Sequence, residues 1–115
     1  MKYEFLATSS SGLDVYVVTV SDDTGRLVIT CNCEAGNRGV LCRHRIALIT
    51  NRIRGVYTSP RRNNPKELQS AMALISQYGI DTQYNHLKGK LDNLEKKWLQ
   101  IQADIKTALN NLISP

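Results

Sequence analysis

The stretch CNCEAGNRGVLCRH, Cys31 to His44, holds all three cysteines of this 115-residue chain and one of its two histidines. As a pattern it is C-x-C-x8-C-x-H, two close pairs of soft or borderline donors joined by a loop. Tetrahedral zinc is commonly held by three thiolates and one imidazole, and four protein ligands close its shell, as a structural site requires. Two residues separated by one reach the same ion if the chain bends between them; Asn32 ends a strand there, and Gly36 and Gly39 free the loop to turn. Three cysteines suit no disulfide framework, and the spacing is not that of iron–sulfur runs. One structural Zn2+ on Cys31, Cys33, Cys42 and His44 is therefore expected. The other histidine, His86, has no donors near it and reads as a solvated side chain.

Upstream of the cluster, KYEFLATSS reads as a first strand, and DVYVVTV, rich in β-branched and aromatic residues, as a second. SDDTG supplies a turn and RLVITC the return strand, so a β-hairpin from Asp14 to Cys31 ends directly on the cysteines. Val15, Val17 and Thr19 share one face and Tyr16, Val18 and Val20 the other, so neither face is cleanly polar. Downstream, Ile46, Ile49 and Ile53 recur at helical spacing and predict an amphipathic helix over Arg43–Ile53. On that helix Arg45 pairs in direction with Arg52, and Arg43 with Arg54, on either side of the apolar stripe.

With these elements in place, CNC, the loop, CRH and the aliphatic IALI, preceded by VYVVTV, resemble the SWIM zinc finger. That family pattern is C-x-C, a loop of variable length, then C-x-H, on a ββα unit, and Arg43 between the last two ligands suits it. The resemblance covers about residues 13 to 50. It implies zinc on Cys31, Cys33, Cys42 and His44, and DNA binding or protein interaction, the roles credited to this finger in Mutator-like transposases, Swi/Snf-type ATPases and recombination-mediator proteins.

Charge is unevenly spread. Residues 1–34 carry two basic and five acidic side chains, a net −3, whereas residues 35–66 carry eight basic and no acidic side chains, a net +8. Residues 67–115 balance five lysines against five acids. Mutual repulsion disfavours such a segment unless an anionic partner is intended. Arg38, Arg43, Arg45, Arg52, Arg54, Arg61, Arg62 and Lys66 are accordingly candidate phosphate contacts. The partner is a nucleic acid, DNA before RNA, or an acidic protein surface that the finger and helices would dock on as adaptor or inhibitor.

Residues 56–64, with Pro60 and polar neighbours, read as a basic linker separating a finger region, 1–55, from a helical region, 65–115. Asn64, Pro65 and Glu67 form a helix start, Leu68, Met72 and Ile75 follow at helical spacing, and Gly79 is a stop. Asp81 looks like the cap of a last helix running to about Ile113. Along it Leu87, Leu91, Leu94, Trp98, Ile101, Ile105, Ala108 and Leu112 alternate at four and three residues, an unbroken heptad series. Packing on its own domain is one use of that seam. Some 30 residues make a rod of roughly 45 Å, however, against a radius of gyration near 13 Å for a domain of this size, so self-association is the favoured one. With Leu91, Trp98, Ile105 and Leu112 at a, Lys90 and Glu95 would pair across a parallel dimer; Trp98 is bulky there, which leaves antiparallel and four-helix arrangements open.

The fold class read from the sequence is thus α+β: a hairpin and small ββα zinc finger, a short helix and a long C-terminal helix that is a coiled-coil candidate. No acid–base constellation or phosphate-cradling glycine motif is visible, so neither an enzyme nor a small-molecule substrate is expected. With no signal-peptide pattern and no apolar run of membrane-spanning length, the expected location is intracellular, the cytoplasm or a eukaryotic nucleus.

Overall fold

The β-branched and aromatic runs form strands, and their pairing settles which face is the core. In the computed structural model, which describes residues 1–113, β1 (Lys2–Thr8), β2 (Val15–Ser21) and β3 (Val28–Cys31) make an antiparallel sheet in the order β1-β2-β3. Phe5 lies opposite Val18, and Val18 opposite Cys31. The two-residue period then puts Phe5, Ala7, Val18, Val20 and Cys31 on one buried face. The ambiguity of VYVVTV is resolved by depth: Val18 and Val20 enter the core, Val17 and Thr19 are half-buried and Val15 is exposed.

A single turn, α1 (Glu34–Asn37), leads from the sheet to α2 (Arg43–Ile49). Here the expected helix to Ile53 is cut short. Asn51 takes a left-handed conformation, φ 57°, and the Arg52 amide donates to the Ala47 carbonyl, closing the Schellman pattern of a helix end. The Thr50 hydroxyl also donates back to the Ile46 carbonyl, 2.7 Å. Arg52 and Arg54 therefore lie beyond the helix, and their expected helical pairing with Arg45 and Arg43 does not occur.

α3 (Pro65–Gln77) begins as its sequence predicts. The Asn64 side chain accepts from the Lys66 amide, 2.9 Å, and Pro65 occupies the first turn. Leu68, Ala71 and Ile75 are buried against the core, with Met72 and Leu74 partly so. The chain leaves α3 at Gly79, and α4 (Ile80–Asn111) starts one residue before Asp81. Asp81 sits in its first turn and accepts from the Ser76 hydroxyl, 3.0 Å.

Two compact units are distinguished, Met1–Asp81 and a second beginning at Thr82. Within the first, segment 56–64 contributes to the core through buried Val56, Tyr57 and Asn63. It also covers the outer edge of β1. Thr8 N–H donates to the Val56 carbonyl, while the Asn63 amide accepts from Leu6 N–H at 2.8 Å and donates to the Leu6 and Tyr57 carbonyls at 2.9 and 3.0 Å. Part of an otherwise unpaired strand edge, at Leu6 and Thr8, is thereby covered by one side chain and one backbone carbonyl. The second unit is helical, and no α4 residue among those described is buried.

Replacing Asn63 by alanine leaves a strand amide, a strand carbonyl and a buried loop carbonyl without their partner. Losses of roughly 1–3 kcal/mol for an unsatisfied buried group set the scale. Urea unfolding of the zinc-loaded Asn63→Ala protein is expected to show a destabilisation at or above the upper end of that range.

Candidate metal centre

Each ligand is delivered by the end of an element. Cys31 ends β3, Cys33 caps α1, Cys42 is the residue before α2 and His44 lies in its first turn. Asn32 holds the bend between the first two: its backbone amide donates to the Val17 carbonyl at 3.2 Å and its side chain accepts from Val17 N–H at 2.8 Å. The strand pairing thus continues one residue past Cys31 before the chain turns. Cys33 Sγ accepts from the Gly36 amide, 3.3 Å.

The two loop glycines serve different ends. A Cβ at Gly36 would overlap the Cys31 carbonyl oxygen, so that close approach of loop to strand requires glycine. Gly39 has open space around it but takes φ 73°, where a side chain is strained.

The four ligand atoms lie within 4.8 Å of one another, and all four residues are at least 94% buried. Zinc–sulfur and zinc–nitrogen bonds of about 2.3 and 2.0–2.1 Å place a sulfur and a nitrogen about 3.6 Å apart across a tetrahedron. Cys31 Sγ and His44 Nδ1 are separated by 3.6 Å. The spacing fits Nδ1 as the ligating nitrogen. Nε2 of His44 is buried with no hydrogen-bond partner among the described residues, and the Tyr16 ring lies 5.2 Å from the imidazole ring. The Tyr57 hydroxyl donates to the His44 carbonyl, 2.6 Å, and so holds the start of α2 over the core.

The electrostatics distinguish Cys31 from Cys42. Burial pushes Cys31 up to about 12 in the absence of metal. Burial is the largest single influence on Cys42 and opposes its ionisation, but hydrogen bonds to its sulfur from the Arg45 guanidinium, the Arg45 backbone amide and the Cys33 and Cys31 thiols together outweigh it and hold this thiol below its ordinary value. Burial, then the charge of Arg43, lowers His44, which favours the neutral imidazole that a metal needs. Three thiolates and an imidazole fill a tetrahedral shell, so the cluster suits one structural zinc ion and leaves no open position.

The basic residues separate into groups. Arg38 and Arg43 line one cleft of about 460 Å³ beside the centre, together with Ser9, Ser10 and Glu34. Arg43 Nη2 donates to the Thr8 carbonyl at 2.9 Å and Arg62 Nη1 to the Thr8 hydroxyl at 3.4 Å, so two guanidiniums distant in sequence meet at the end of β1. Arg52, Arg54, Arg61 and Lys66 are exposed. Arg45 is half-buried and turned to the metal centre instead. Among the described residues none of the eight forms an ion pair. Leu87, Leu91, Leu94, Trp98, Ile101, Ile105 and Leu112 are 49–77% exposed. Tyr57, Asn63 and the clamp from Arg45 were not found by sequence reasoning. Tyr57 and Asn63 lie in what reads as linker, and a half-buried arginine has no mark in an arginine-rich run.

Residues 16–53 match the family model of the SWIM zinc finger. Comparison with curated proteins and with solved structures finds no match. The matched segment contains all four clustered ligands, and its similarity to the SWIM zinc finger accords with zinc binding and with nucleic-acid or protein interaction.

One zinc per chain is expected by native mass spectrometry, and Cys42→Ser should abolish its retention. Structural zinc contributes about 10–16 kcal/mol of apparent binding energy in finger peptides, so a chelator is expected to abolish the cooperative thermal transition of residues 1–81. The ligands bind as thiolates and neutral imidazole. Zinc occupancy should therefore fall as pH is lowered, protons displacing the metal, and recover on neutralisation.

Proposed function

We propose that the protein is a non-catalytic, zinc-stabilised nucleic-acid-binding protein, of double-stranded DNA in the first instance, which associates with further copies through α4. The observation that carries this reading is the basic segment 38–66. Seven of its eight cationic side chains, all but Arg45, project without an acidic partner, and Arg38, Arg43 and Arg62 converge near Ser9 and Ser10, whose hydroxyls add donors suited to phosphate oxygens. Nothing in the arrangement identifies a base-reading helix, so contact is to the backbone and independent of sequence.

Self-association rests on the α4 seam. A second copy is the occupant that a regular heptad repeat specifies, since the same seam recurs in register on both helices, and joining two basic surfaces raises affinity through avidity. The exposed heptad side chains of Leu87 to Leu112 support it.

Affinity for double-stranded DNA should fall steeply with salt. Each phosphate contact contributes a slope of about −0.9 in log K against log salt. Arg52→Ala with Arg54→Ala should flatten the slope by up to about two. DNA affinity independent of ionic strength would overturn the reading. So would absence of affinity for DNA and RNA together with stoichiometric capture of an acidic protein after nuclease treatment. Sedimentation equilibrium should give an oligomer that Leu94→Lys with Ile101→Lys converts to a monomer; a native chain monomeric at high micromolar concentration would remove the α4 part.

A further inference from the structure

Arg45 differs in kind from the other basic side chains of segment 38–66. Its three guanidinium nitrogens each meet a different acceptor: Nε donates to Cys42 Sγ at 3.4 Å, Nη1 to the Ile29 carbonyl at 3.4 Å and Nη2 to the Val40 carbonyl. Those acceptors belong to a metal ligand, to β3 and to the loop just before Cys42. A planar fork with three fixed acceptors in different parts of the chain has little freedom left to reach an outside phosphate.

The charge argument runs the same way. Zn2+ with three thiolates and a neutral imidazole carries a net −1, enclosed by buried residues. An excess charge in such a setting is costly unless a counter-charge is hydrogen-bonded to it. Arg45 is the one cationic side chain that donates to a ligand sulfur among the described residues. It also satisfies a carbonyl of β3, the strand at the free edge of the sheet.

We propose that Arg45 is a positioning residue of the metal centre: it donates to the Cys42 thiolate, ties that ligand to β3 and to the preceding loop, and so sets the affinity for zinc instead of contacting nucleic acid. Outer-shell partners of metal ligands typically change affinity by about 10–100-fold when removed. An alkyl replacement loses both charge and hydrogen bonds. Lysine keeps the charge as a point donor and loses the fork, so it should recover part of the effect.

The test is zinc affinity of the full chain by competition with a chromophoric chelator. Arg45→Met is expected to weaken binding at least tenfold and to speed metal release, Arg45→Lys to weaken it less, and Arg26→Gln, an exposed charge in the β2–β3 turn, to leave it unchanged. In the Co2+-loaded protein, loss of a hydrogen bond to sulfur raises the sulfur donor level, so Arg45→Met should move the thiolate-to-cobalt charge-transfer band to longer wavelength. General loosening of the fold would not produce that shift at an intact tetrahedral spectrum. If the methionine variant fails to fold even with metal, the lysine variant with unchanged circular dichroism carries the test. Affinity within twofold of the native chain for Arg45→Met, or for a folded Arg45→Lys an unshifted band with unchanged release rate, would overturn the proposal. An equal loss in Arg26→Gln would also overturn it, since the effect would then be one of net charge.

Discussion

Four ligand atoms gathered within 4.8 Å make one point through which the end of β3, the single turn α1 and the start of α2 must pass. Each of these is too short to persist alone. α1 has four residues and α2 seven, well below the length at which an isolated helix is stable in water. Their positions follow from the metal ligands and from what surrounds those ligands. The glycine at 36 admits the loop against Cys31, Asn32 extends the sheet to the bend, and Tyr57 holds the His44 carbonyl from the core side. Tetrahedral geometry is strict, so a small displacement of any of these residues is felt at the ion.

Around that point the fold solves a general problem of small sheets. Three strands leave two edges with unpaired backbone groups, and water or another chain would otherwise meet them. Here a side chain satisfies part of each edge. Asn63 pairs with both backbone groups of Leu6 on β1, and Arg45 reaches the Ile29 carbonyl on β3. α3 completes the burial by placing Leu68, Ala71 and Ile75 on the same core as Phe5 and Val18. The metal unit is therefore part of a larger folded body, more than the free-standing ββα finger that its motif suggests.

The division of labour among the arginines follows from the same geometry. A guanidinium is spent structurally where it faces a thiolate and carbonyls, as at Arg45, and is free for an outside anion where it faces water, as at Arg52, Arg54 and Arg61. Arg43 and Arg62 are intermediate: each gives one nitrogen to Thr8 and keeps the rest of its fork available. In the helical unit the logic is reversed. There the apolar side chains are the exposed ones, so the seam from Leu87 to Leu112 is where a partner would gain by excluding water.

Much of this was legible in one dimension because the relevant physics is local. Donor type and spacing identify the metal set from Cys31 to His44, alternation in VYVVTV identifies a strand, Asn64-Pro65 starts α3, Gly79 stops it, and heptad spacing predicts the long helix. The early end of α2 was also local, in the left-handed Asn51, but the isoleucine at 53 continues the helical spacing and hides it. Other features depend on residues far apart in sequence. Asn63 meets Leu6 across 57 positions, Tyr57 meets His44 across 13 and Arg45 meets Ile29 across 16. Which ligand gains a counter-charge, which part of each strand edge is satisfied and which arginines remain free are set by that three-dimensional packing. A hydrogen bond between distant segments leaves no periodicity in the chain. The sequence by itself thus determined the metal set and the elements that carry it. Only the tertiary structure decided what holds those elements in place, because burial and hydrogen-bond geometry exist only once the chain has folded back on itself.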